Sequence, residues 1–84
     1  MNRKTMLHVA LPATRRTYDI AVPEDMSIHD ASYLSAQILA EREPDRYAAQ
    51  GDITFMDSRT GALINPNATV RQAGLADGSQ VTLV

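Results

Sequence analysis

Apolar and polar residues alternate without interruption from Thr5 to Leu11, with Leu7, Val9 and Leu11 on one side and Met6, His8 and Ala10 on the other. A period of two is the mark of a strand with one buried face. The Pro12-Ala-Thr-Arg-Arg16 segment breaks the run, because proline brings no ladder N–H and small polar residues suit a turn. Tyr18, Ile20 and Val22 then alternate with Asp19 and Ala21, which predicts a hairpin partner for the first strand. After Pro23-Glu-Asp25 the period changes. Ser27 is placed to cap a helix, with Asp30 three residues on returning the bond in a variant of the capping box. Ile28, Ala31, Leu34, Ser35 and Ile38 fall within an arc of roughly 100°, with Leu39 at its margin. The spacing predicts one amphipathic helix ending near Arg42, since Pro44 disfavours helical geometry at Glu43.

The second half is more broken. Pro44 to Gly51 reads either as a helical turn around Tyr47-Ala48-Ala49 or as plain loop. Ile53 and Phe55 alternate with Thr54 and Met56, Asp57-Ser-Arg-Thr-Gly61 makes a turn, and Leu63 and Ile64 return as a short strand. Thr69 caps a single helical turn carrying Val70, with Gly74 at its left-handed exit. Asp77-Gly78 then turns into a last strand, Gln80 to Val84, with Val81 and Leu83 facing the core. The order is hairpin, helix, short hairpin, helical turn, strand. It predicts an α+β fold: a mixed five-stranded sheet, one main helix packed on one face, and a short helical turn before the last strand. The first and last strands lie side by side and parallel, with the helix in the crossover.

Eighty-four residues predict one domain, 1–84, with a thin core and no deep cleft. There is no cysteine, which excludes disulfides and thiolate metal sites. A net charge of −2 with interspersed signs supplies no basic face for nucleic acid. No apolar run approaches the roughly 20 residues that cross a bilayer, so neither membrane insertion nor a signal peptide is expected.

The closing half, Ile53 to Val84 with its Thr69-Val-x-x-x-Gly74-Leu-x-x-Gly78 pattern, resembles a ubiquitin-like β-grasp domain. Within that superfamily it is similar to the YukD/EsaB type associated with type VII secretion in Gram-positive bacteria, and to the N-terminal domain of the EccD membrane component. The resemblance implies a non-catalytic, cytoplasmic interaction module that meets other proteins, among them secretion-machinery subunits. It also frames an alternative, a modifier or sulfur carrier. Such proteins act through a terminal Gly-Gly carboxylate, whereas the sequence given ends at Val84.

Candidate chemistry is sparse. Neither His8 nor His29 has a second metal donor at helix or strand spacing, so no metal or cofactor is expected. His29 and Ser32 lie one helical turn apart with Asp25 nearby in sequence, but no glycine elbow or oxyanion nest accompanies them, and no catalytic residue is expected. Arg3, Lys4, Arg15 and Arg16 would form a patch for an acidic partner if the hairpin brought them together; otherwise they solvate a loop tip. Two surfaces stand out. The outward sheet face, with Met6, His8, Thr54, Met56, Thr82 and Val84, carries methionines and few charges, and the resemblance makes it the docking face. The second strand, Tyr18, Asp19, Ile20, Ala21 and Val22, is an edge that can pair with an extended peptide or with another copy as a homodimer or self-assembling adaptor.

Overall fold

A computed structural model describes residues 3–84. Four strands, β1 (Lys4–Leu11), β2 (Arg16–Pro23), β3 (Phe55–Asp57) and β4 (Gln80–Leu83), surround one helix, α1 (Ile28–Arg42). The sheet order is β2-β1-β4-β3. β1 pairs antiparallel with β2 over its whole length, β4 lies parallel to β1 with Val9 opposite Val81, and β3 pairs antiparallel with β4. Between strands β1 and β4 comes the crossover through α1, as parallel neighbours require.

The alternation in the sequence is realised as burial. Leu7, Val9, Leu11, Tyr18, Ile20, Val22, Phe55, Val81 and Leu83 are all buried on the helix side of the sheet. Ile28, Ala31 and Leu39 close over them from the helix, and Val70 fills the remaining end.

The sheet has four strands among the described residues, not the expected five. Leu63 makes an isolated bridge to Met56, held by Asp57 N–H donating to the Ala62 carbonyl at 2.8 Å and Ile64 N–H donating to the Phe55 carbonyl at 3.0 Å. Pro66 lies two residues beyond Ile64 and brings no ladder N–H, so the pairing does not extend. The expected helical turn before the last strand is likewise not a second helix. Thr69 N–H donates to Gln72 Oε1 at 2.9 Å and Gln72 N–H to Thr69 Oγ1 at 3.0 Å. These reciprocal bonds start a helix chemically, but the chain leaves through Gly74, at φ 77°, as a run of turns before a helix propagates.

At the start of α1, Asp30 N–H donates to Ser27 Oγ at 3.1 Å. The Asp30 carboxylate does not return that bond; it meets His29 Nδ1 at 3.2 Å instead. The remaining first-turn donors are taken by the segment before β4: Ile28 N–H donates to the Ala68 carbonyl at 2.8 Å and His29 N–H to the Pro66 carbonyl at 3.0 Å. The buried stripe also differs from the expected one. Ile28, Ala31, Ser32, Ser35, Ala36 and Leu39 are buried, whereas Leu34 and Ile38 are only half-buried. On the wheel this turns the stripe by about 70°. Small residues win the contact because they let the helix axis approach the sheet, and both serine hydroxyls are satisfied by carbonyls. Ser35 Oγ donates to Ala31 at 2.8 Å, and Ser32 Oγ bonds to His29 at 2.8 Å and to Ile53 at 3.3 Å.

The open Pro44–Gly51 segment resolves into a turn over Pro44–Arg46 followed by loop. Its Tyr47 side chain is partly buried against the core, and that burial raises the phenol above its ordinary value of 10.0.

Phe55 is fully buried at the centre of the core. Replacing it by Ala is expected to cost about 3–5 kcal/mol, read from urea unfolding. The raised Tyr47 phenol means that the folded form keeps its proton longer than the unfolded chain. Its contribution is therefore complete below pH 10 and declines as pH rises through and above that value. Tyr47→Phe is expected to flatten that alkaline loss in a series of unfolding curves.

Candidate functional site

The face of the sheet away from α1 is built by register. Thr17 of β2 stands opposite Ala10 of β1, Ala10 opposite Thr82 of β4, Thr82 opposite Met56 of β3, and Met56 opposite Leu63. Residues directly opposite across strands project to the same side. This row crosses the whole sheet without a formal charge. Among the described residues Met6, Val84 and Leu63 are the large exposed apolar side chains, at 41%, 47% and 68% exposure. Thr54 and Val84 exchange backbone bonds of 3.1 and 3.0 Å, so they extend the same face at one end. Every sequence-predicted face residue (Met6, His8, Thr54, Met56, Thr82 and Val84) therefore lies on one surface.

A second row is polar. Asp19 stands opposite His8, and His8 opposite Gln80. His8 Nδ1 is bonded to the Asp19 carboxylate. Ser58 Oγ and Thr82 Oγ1 are 2.8 Å apart. Between the rows lies an open concavity of about 500 Å³ bordered by His8, Ala10, Thr17, Ser58, Gln80 and Thr82. Its lining offers hydroxyls, the Gln80 amide, the Ala10 methyl and the His8 imidazole, so it can seat a projecting side chain by hydrogen bonds and apolar contact. Sequence reasoning missed Thr17, Ser58 and Leu63 as members of this face, and the His8–Asp19 pair. The pair follows once the hairpin register is fixed, and its signal was the alternation of both strands.

The other groupings weighed from the sequence are kept apart. The hairpin separates Arg3 and Lys4 from Arg15 and Arg16, because Lys4 pairs with Pro23 at one end and Leu11 with Arg16 at the other. Seven steps of strand put these ends roughly 23 Å apart. Ser32 is fully buried and spends its hydroxyl on carbonyls, while His29 lies against the Tyr33 ring at 4.6 Å. Among the described residues no group of three or more His, Cys, Asp or Glu is placed to hold a metal ion. No described helix is long and apolar enough to cross a membrane.

No known family pattern matches the chain, and no curated protein does. Solved structures do. The ubiquitin-like domain of the Mycobacterium tuberculosis type VII secretion protein EccD1 superposes with a TM-score of 0.78 at 23% identity, covering 98% of each chain. The fold is ubiquitin-like. The EccD5 ubiquitin-like domain from Mycobacterium xenopi gives a TM-score of 0.79 at 13% identity, covering 98% of this chain and 93% of that one. A chain of a toluene 4-monooxygenase complex gives 0.78 at 18% identity, covering 98% of each. At these identities the likeness concerns the fold, which one architecture lends to unrelated tasks.

Leu63 contributes surface rather than core. Leu63→Ser is expected to change folding stability by no more than about 0.5 kcal/mol, measured by urea unfolding beside Phe55→Ala.

Proposed function

We propose that this chain is a non-catalytic protein-interaction module whose outer sheet face docks a partner, with Met6, His8, Thr54, Met56, Thr82 and Val84 at the contact. The carrying observation is the uncharged row from Thr17 to Leu63 across the full width of the sheet. Charged residues are depleted from the cores of interfaces, and methionine adapts to varied partner surfaces. The concavity beside the row would seat a projecting side chain. We read residues 1–84 as one such unit.

The same reading makes the partner a subunit of a type VII secretion system, engaged in the cytoplasm. Its support is the similarity to ubiquitin-like domains of EccD1 and EccD5. The YukD/EsaB type remains part of this proposal on the strength of the closing Thr69 to Gly78 pattern.

Met56→Glu places a carboxylate in the middle of the docking row. Affinity purification from the native host, followed by mass spectrometry, should recover secretion-machinery subunits with the parent protein. Binding of a recovered subunit should weaken at least about tenfold with the variant, while its circular dichroism and urea midpoint stay unchanged. Equal capture by both proteins would move the contact off this face, and recovery of subunits from an unrelated assembly would refute the secretion role.

A further inference from the structure

The two edges of the sheet are finished differently. β3 is three residues long, and the Leu63 bridge covers part of its outer side. β2 is eight residues long and keeps register with β1 at every position from Arg16 to Pro23, so no bulge twists it away. Its interior contains neither lysine nor proline, the residues that ordinarily blunt such an edge.

Backbone geometry says which groups point outward. Gly78 N–H donates to the Met6 carbonyl at 2.8 Å and His8 N–H to the Ser79 carbonyl at 2.9 Å, so the even residues of β1 turn their backbone toward β4. The odd residues therefore bond to β2, where their opposites are Tyr18, Ile20 and Val22. Thr17, Asp19 and Ala21 are left presenting N–H and C=O at the free edge, and no other backbone group among the described residues reaches them.

We propose that two copies of this chain join antiparallel along β2, with Ile20 on the two-fold axis, making one continuous eight-stranded sheet. The side-chain sequence selects both the occupant and the register. With Ile20 opposite itself, Tyr18 faces Val22, Asp19 faces Ala21 and Arg16 faces Glu24 of the second copy. Glu24 continues the strand, its N–H donating to the Arg3 carbonyl at 2.8 Å. Asp19 and Ala21 then exchange both backbone bonds with their opposites, and each Thr17 N–H meets a Pro23 carbonyl. Each end of the joint closes with opposite charges. Shifting the pairing by one step toward the hairpin tip, so that Asp19 sits on the axis, sets two carboxylates against each other, and like charges directly opposite are destabilising. The only charge inside the edge thus acts as a register key. A strand of this chain is the complement of its own edge in a way that an arbitrary extended peptide is not, and the outer faces of the two copies become one bivalent surface.

Sedimentation velocity and light scattering of the parent protein at up to about 1 mM should show a concentration-dependent dimer. Glu24→Arg, which leaves the 3.9 Å Arg16–Glu43 contact in place, should weaken it about tenfold or more. Arg16→Glu should do the same, and the double exchange should recover most of the loss. The chain lacks cysteine, so the register is read directly. Thr17→Cys mixed with Pro23→Cys keeps Asp19 in place and should oxidise to a mixed disulfide dimer, because antiparallel opposites about 5.5 Å apart suit that bond, and faster than either variant alone. A monomer at every concentration overturns the proposal. So does a dimer indifferent to both charge reversals, or one in which Thr17→Cys cross-links faster with Ala21→Cys than with Pro23→Cys.

Discussion

The parallel pairing of β4 with β1 is the interaction on which the remaining architecture depends. β4 lies between β1 and β3, so without it β3 has no partner strand and β1 has an open side. It is also the pairing with the longest reach in sequence, Val9 with Val81, and its closure entropy must be met by burial elsewhere. Val9 and Val81 are both fully buried, and so is Phe55 on the neighbouring strand. The first hairpin and the helix consist of local contacts. The C-terminal strand converts them into a closed core.

Polar groups are arranged to permit that closure. Tyr18 is buried, yet its hydroxyl donates to Thr14 Oγ1 at 2.9 Å and reaches Glu43 at 3.2 Å, tying the hairpin tip to the end of the helix. Arg15 takes φ 57° in the same tip, the left-handed conformation a tight hairpin needs and one that usually costs a non-glycine residue. Thr14 offsets part of that cost, accepting from Arg16 N–H at 3.3 Å and donating to the Leu11 carbonyl at 3.2 Å. No buried side-chain nitrogen or oxygen among the described residues lacks a partner. The helix can therefore bury serines without the penalty of stranded hydroxyls.

Much of this was legible in the sequence because strand alternation reports burial directly. Leu7, Val9, Leu11, Tyr18, Ile20 and Val22 fall inward as their spacing requires, and the helix runs from the residue after Ser27 to Arg42. Misreadings arose where hydrophobicity and burial part company. Ser32 and Ala36 are buried for their size, while Leu34 and Ile38, better hydrophobes, stand at the margin. Leu63 and Ile64 read as a short strand, yet the segment makes a bridge without a ladder and leaves Leu63 mostly exposed. The outer face was legible position by position, but its division into an uncharged row and a polar row was not. That division depends on register between strands distant in sequence, which alternation within a strand does not encode.

The segment before β4 lies against the chain entering α1, with Val70 N–H donating to the Met26 carbonyl at 2.9 Å, Arg71 N–H to that of Glu24 at 3.0 Å, and the Arg71 guanidinium paired with Asp25. Together with the bonds from Ile28 and His29 it occupies the amides that open a helix. Those amides and the positive pole of the helix dipole commonly form a cradle for phosphate. Here the protein's own carbonyls and the Ser27 hydroxyl occupy those amides, so the positive end of α1 is spent on holding the crossover to the last strand rather than left open to an anion.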